Sequence, residues 1–172
     1  MLYNFKNYFN KSELSILMDF LLSCESWHFK RNIHQKYLNK NDHENFTLLF
    51  NQLFLNSVNY NSLIAVVNDY FNKQLQPYRD IPTSPIRYPD GQRLSIHSDS
   101  SSYNLEIDDF ITFVFYLNDD YECGNLFYIY DDTEIDVDTQ KGDLVILTPD
   151  VLHGTRNVQG GEKYVSVSLV EI

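Results

Sequence analysis

The chain has 172 residues, enough for one domain with its own core and too few for two of ordinary size. Hydrophobic residues make up 43% and aromatics 15%, which excludes a disordered chain. The net charge of −11, from 24 acidic against 13 basic side chains, repels phosphate and argues against direct nucleic-acid binding.

Cys24 and Cys123 are the two cysteines, and the simplest reading is two free thiols in a reducing compartment. The opening Met1-Leu2-Tyr3-Asn4-Phe5-Lys6 lacks the basic stretch and apolar run of a signal peptide. No apolar run reaches the roughly 18 residues of a membrane helix. A cytoplasmic protein is expected, with no membrane partner. The abundance of Asn, Lys, Tyr and Ile suggests an AT-rich coding sequence, as in a low-GC bacterium or a virus.

The first half reads as helical support, over about residues 1–77. Asn10 and Glu13 form a capping box ahead of the stripe Leu14, Ile16, Leu17, Phe20 and Leu21. A short extended piece follows at Trp27–Lys30. A second helix is predicted over Asn41–Phe54, with Asn41 and Glu44 in capping positions. A third runs from about Ser62 to Leu75. All three read as scaffold.

From about Tyr78 the pattern becomes short apolar runs cut by turns such as Pro89-Asp90-Gly91, Asn118-Asp119-Asp120, Lys141-Gly142-Asp143 and Gly160-Gly161. Strands are predicted at 78–81, 84–88, 93–99, 110–118, 125–130, 134–138, 144–148, 152–158 and 163–171. That spacing points to a sandwich or barrel of the jelly-roll type. Helices first and strands after make an α+β chain with helices on one face of a β core. The whole of 1–172 reads as a single domain, with the β core over about 78–172.

His34 and His43 sit in polar surroundings and read as ordinary surface, and His28 as packing. His97 and Asp99, in Ser95-Ile96-His97-Ser98-Asp99, would share one side of a strand and so reach one metal ion. His-x-Asp alone is weak evidence. His153, after Thr148-Pro149-Asp150, begins an extended stretch that a jelly roll can return beside the first. Two imidazoles and a carboxylate are the donor set of non-haem Fe(II) oxygenases. Lys163 lies across the Gly160-Gly161 turn. It reads either as a surface lysine beside a hairpin or as a cation facing the same cavity, where it would need an anionic partner.

The segment Arg87–Leu169 resembles the 2-oxoglutarate/Fe(II) dioxygenases of the prolyl 4-hydroxylase type. The elements appear in that family's order: Arg87-Tyr88, Gly91, His97-Ser98-Asp99, Thr112, Tyr116-Leu117-Asn118, Cys123-Gly124-Asn125-Leu126, Lys141-Gly142-Asp143-Leu144, His153-Gly154 and Lys163-Tyr164. The resemblance implies a double-stranded β-helix with Fe(II) on His97, Asp99 and His153. It implies Lys163 paired with the distal carboxylate of 2-oxoglutarate, Tyr88 and Tyr116 hydrogen-bonded to that cosubstrate, and Leu126 lining its pocket. It further implies hydroxylation with release of succinate and CO2, with ascorbate as a possible reductant. The chain departs from the family at Cys123-Gly124, where two glycines are common, and at Leu169, where many relatives carry Trp.

Lys163 followed by Val165, Val167 and Leu169 lacks the Arg pair of nucleic-acid demethylases and the Arg-x-Ser of plant-type small-molecule oxygenases. By analogy, the expected substrate is a prolyl or other residue in a peptide or protein. The alternatives are hydroxylation of a free amino acid or small metabolite, and a β-barrel binding protein without turnover. A serine hydrolase built on Ser98 or Ser100 is disfavoured by the absence of a Gly-x-Ser-x-Gly elbow. The polar segment Ser98–Asp109 is expected to cover the substrate. Oligomeric state is not legible in the sequence.

Overall fold

The computed structural model describes residues 1–29, 35–77, 79–103 and 109–172. The first half comprises β1 (Leu2–Phe5), α1 (Lys11–Ser23), β2 (Trp27–Phe29), β3 (Lys36–Leu38), α2 (Lys40–Asn56) and α3 (Tyr60–Phe71). The second half comprises β4 (Ser84–Tyr88), β5 (Leu94–His97), α4 (Asp99–Tyr103), β6 (Phe110–Tyr116), β7 (Glu122–Cys123), β8 (Leu126–Tyr130), β9 (Thr133–Asp136), β10 (Leu144–Leu147), β11 (His153–Thr155), β12 (Val158–Gln159) and β13 (Lys163–Glu171).

The expected capping box holds: Asn10 accepts from the Ser12 and Glu13 amides, and Glu13 accepts from the Asn10 amide. At α2 the cap is Asn39, accepting from the Asp42 amide at 2.9 Å, rather than Asn41. The reason is tertiary: β3 ends at Leu38, so the chain must turn into the helix at once. Helix α3 runs over Tyr60–Phe71, earlier than expected, and stops where Asn72 adopts a left-handed conformation at φ 54°. Ile16, part of the apolar stripe expected in the first helix, is 43% exposed; Leu14, Leu17 and Leu21, with Phe46, Phe50 and Phe54 of α2, carry the packing instead.

Among the described residues, one sheet runs in the order β1-β10-β6-β13-β4-β3-β2 and a second in the order β5-β11-β8-β9. All the pairings are antiparallel. The two sheets make the double-stranded β-helix. Strand β6 shows why its sequence is apolar throughout. Ile111, Phe113 and Phe115 pack on the helices, while Val114 and Tyr116 face the barrel with Ile86, Val145 and Val165. A strand covered on both faces reads as a continuous run rather than an alternating one.

The strands β1 and β3 were not expected. Each is too short to show a period, and each is fixed by its neighbour in the large sheet: β1 by β10, β3 by β4. The predicted strand at 78–81 is not formed over 79–81, and Tyr78 lies outside the described residues. Gly142 sits at φ 92°, and a Cβ there would lie 2.6 Å from the Phe9 carbonyl. That close approach lets the Phe9 amide donate to the Gly142 carbonyl at 3.1 Å and ties the first helix to the barrel. Among the described residues no helix is long and apolar enough to cross a membrane.

Candidate metal centre and adjoining pocket

The antiparallel register sets His153, the first residue of β11, directly opposite His97, the last of β5. Their ring centres lie 4.4 Å apart. One ligand atom from each of His97, Asp99 and His153 falls within 4.8 Å of the others. The sequence reading of a strand through residue 99 is corrected in detail. Strand β5 ends at His97 and Asp99 opens the short helix α4, so a turn, not strand alternation, brings the carboxylate beside the imidazole.

Each imidazole is held from behind. His97 Nδ1 donates to the Ser95 carbonyl at 2.9 Å and His153 Nδ1 to the Val151 carbonyl at 2.8 Å. A carbonyl only accepts, so in the neutral rings Nε2 carries the free lone pair. Asp99 is 5% exposed, and its Oδ2 accepts from Thr112 Oγ1 at 2.7 Å. Its Oδ1 lies 3.5 Å from His97 Nε2. Thr112 is the residue whose part the sequence did not disclose. It is the one aliphatic hydroxyl in the apolar run Phe110–Tyr116, on the barrel-facing side of β6.

The three groups perturb one another. Burial raises the Asp99 carboxyl, but hydrogen bonds from His97 and Thr112 and the charge of His153 prevail and hold it low. Burial pulls His97 down, and its bonds to Asp99 and Ser95 outweigh that and shift it up. In His153 burial prevails over the attraction of Asp99, and the shift is downward.

Deeper in the barrel, Lys163 pairs across β13–β4 with Tyr88 and is 1% exposed. This excludes the surface-lysine reading. Its Nζ donates to the Gly124 carbonyl at 2.8 Å and lies 5.4 Å and 4.9 Å from the ring centres of Tyr88 and Tyr116. Among the described residues no carboxylate pairs with it, and burial pushes its pKa down to about 7. Among the described residues the buried Tyr116 hydroxyl has no hydrogen-bond partner within normal geometry. Burial raises both tyrosines well above the usual phenol value. Leu126 is buried opposite Thr155.

A buried lysine with no counter-ion among the described residues, beside an orphaned phenol, is costly unless an anion fills the gap. The donor set of two neutral imidazoles and one ionised carboxylate suits Fe(II). The residues therefore fit both an iron ion and a carboxylate ligand reaching Lys163.

Other expectations are corrected. His28, read as packing, is exposed on the edge strand β2. His43, read as surface, is half-buried, and its Nε2 bonds the Thr83 carbonyl at 2.6 Å. His34 lies outside the described residues, as does part of Ser98–Asp109; Ser98 itself is buried rather than poised over the site. Cys24 and Cys123 are both free thiols.

Over residues 83–170 the chain matches the family model of the 2OG-Fe(II) oxygenase superfamily. No curated protein sequence matches it. Several solved structures share its fold at low identity. HygX from Streptomyces hygroscopicus, with nickel, 2-oxoglutarate and hygromycin B bound, superposes with a TM-score of 0.70 at 16% identity, covering 98% of this chain and 81% of that one. A Pseudomonas putida prolyl-4-hydroxylase gives 0.65 at 18% identity, covering 98% and 91%. A Trichoplax adhaerens prolyl hydroxylase, in complex with a hypoxia inducible factor oxygen degradation domain peptide fragment, gives 0.67 at 16%, covering 99% and 83%.

Proposed function

This chain belongs to the 2OG-Fe(II) oxygenase superfamily, and from that premise we propose that it hydroxylates a prolyl or other residue in a peptide or protein. It is an Fe(II)/2-oxoglutarate-dependent dioxygenase, and its cofactors are iron and 2-oxoglutarate. In our reading, His97, Asp99 and His153 hold the iron, and Lys163 neutralises the distal carboxylate of 2-oxoglutarate. Tyr88 and Tyr116 flank that carboxylate, and Leu126 closes the pocket wall. When bound, the iron and cosubstrate supply the oxidation, coupling decarboxylation of 2-oxoglutarate to succinate with transfer of one oxygen atom into a substrate C–H bond.

The observation that carries the assignment is Lys163, buried to 1% exposure with no carboxylate partner among the described residues. Such a group is retained where a ligand supplies the missing anion. The protein's own part is orientation and exclusion of water. The Ser95 and Val151 carbonyls fix both imidazole tautomers, Thr112 aims Asp99, and the Tyr88 and Tyr116 rings shield the Lys163 ammonium.

A second reading keeps the chemistry and takes a small molecule as substrate. It is favoured by the likeness to HygX, whose structure holds hygromycin B.

The test is an anaerobic titration with Fe(II) and 2-oxoglutarate, following the charge-transfer absorption of the chelate in the visible range. The wild type is expected to develop the band, His97→Ala to lose it, and Lys163→Ala to need far more 2-oxoglutarate. A folded, iron-loaded wild type without the band refutes the assignment. Succinate release with peptides, free amino acids and amino-sugars then separates the two substrate readings.

A further inference from the structure

Strand β8 lies next to β11, and Tyr128 stands directly opposite His153. Side chains on a strand alternate, so Leu126, Tyr128 and Tyr130 share the barrel-facing side with His153. Tyr128 packs against the barrel core. Tyr130 lies past the first residue of β11, and it is 62% exposed. Across the hairpin, Thr133 is opposite Tyr130 and Ile135 opposite Tyr128. The ribbon thus continues past the candidate metal centre and carries two phenol faces on its inner side.

Asp131 and Asp132 form the two-residue turn, at φ 46° and 57°, as the twist of a tight hairpin requires. Both are exposed, and neither makes an ion pair among the described residues. On the opposite face of the same hairpin, Glu134 and Asp136 are both paired with Arg156. The unpaired negative charge is therefore at the tip, on a protein of net charge −11.

We propose that the inner face of the β8–β9 hairpin, with Tyr128 and Tyr130, is the substrate platform, and that it selects a peptide whose target ring sits beside a basic residue. The inference rests on the oxygenase reading and deepens it. A saturated ring laid on a phenol face buries apolar area on both sides. A neighbouring ammonium or guanidinium gains from the face of Tyr130 and from the carboxylates of Asp131 and Asp132. Tyr130 is exposed at the outer end of this face, which suits a chain running past the candidate metal centre more than a small molecule that must be enclosed.

The test is anaerobic calorimetry on the protein loaded with Fe(II) and 2-oxoglutarate, after the absorption band has confirmed loading. The probes are three capped peptides with Lys-Pro-Lys, Glu-Pro-Glu and Lys-Ala-Lys centres, and 2-deoxystreptamine as a cationic ring without a chain. The Lys-Pro-Lys peptide is expected to bind at least about tenfold more tightly than the other two peptides. Tyr130→Ala is expected to lose about tenfold and Tyr130→Phe to stay within about threefold, since the phenol face is kept. Asp131→Asn with Asp132→Asn should shrink the preference for lysine over glutamate by about threefold or more. Equal binding of the peptides, wild-type affinity in Tyr130→Ala, or binding of 2-deoxystreptamine alone overturns the platform while the cofactor assignment stands. A wild type that never develops the band refutes the cofactor assignment, and the platform with it.

Discussion

Thr112 and Asp99 are joined by a 2.7 Å hydrogen bond that spans the barrel from the large sheet to the turn after β5. The bond occupies Asp99 Oδ2 and leaves Oδ1 turned toward His97. The bond fixes the rotamer of a carboxylate that stands at the head of a helix of only five residues. Such partners behind a ligand commonly carry about 10–100-fold in metal affinity.

Thr112→Val keeps the shape and removes the donor. It is expected to weaken Fe(II) or Mn(II) binding by about tenfold, with Thr112→Ser restoring most of it. Metal titration by calorimetry checks this, and an unchanged affinity in the valine variant shows that Asp99 is held by something else.

With Lys163 as the proposed partner of the 2-oxoglutarate carboxylate, cosubstrate binding is expected to depend on pH. The Lys163 pKa in the folded protein is pushed down to about 7 by burial, whereas an unfolded chain keeps lysine near its ordinary ~10.4. Pairing with a carboxylate requires the charged form. Affinity for 2-oxoglutarate is therefore expected to be level below about pH 7 and to fall by up to about tenfold per unit above it, with uptake of a proton on binding. Calorimetry in buffers of different ionisation enthalpy reads that proton, and Lys163→Arg, which stays charged, should abolish the uptake.

The same shift has the opposite sense for stability. Between about pH 7 and pH 10 the unfolded chain binds the proton that the folded one has shed, so this group's contribution to stability rises with pH. Below about pH 7 the folded protein carries the full cost of a buried ammonium. Denaturant midpoints of wild type and Lys163→Met should accordingly differ most at pH 6 and converge toward pH 10.

Gly154 follows His153, and a Cβ there would meet the Leu94 carbonyl and the Phe127 ring, each at 2.8 Å. Neither can move without shifting a strand next to the candidate metal centre. Gly154→Ala is expected to cost about 2 kcal/mol, lowering Tm by about 4–8 °C, and to weaken metal binding as β11 is displaced. A thermal melt with and without Mn(II) separates the two effects. A wild-type Tm would mean that β5 and β8 yield more easily than their packing indicates.

The sequence by itself determined the parts that local chemistry controls. Asn10 and Glu13 announced the first helix because a capping box is satisfied within one turn. The short apolar runs from Ser84 onward announced strands, and His97, Asp99, His153 and Lys163 stood out by residue type, order and family resemblance. The cap at Asn39, the short strands β1 and β3, and the bond from Thr112 to Asp99 were decided only by the tertiary structure. The two strands and the Thr112 bond depend on partners well separated along the chain, which no local pattern encodes. The Asn39 side chain caps the Asp42 amide three residues on, and it is the pairing of β3 with β4 that places the helix start there. The same holds for Lys163. Its sequence neighbours allow a hairpin surface, and its burial between Tyr88 and Tyr116 follows from the register of β13 against β4 and the closure of the two sheets.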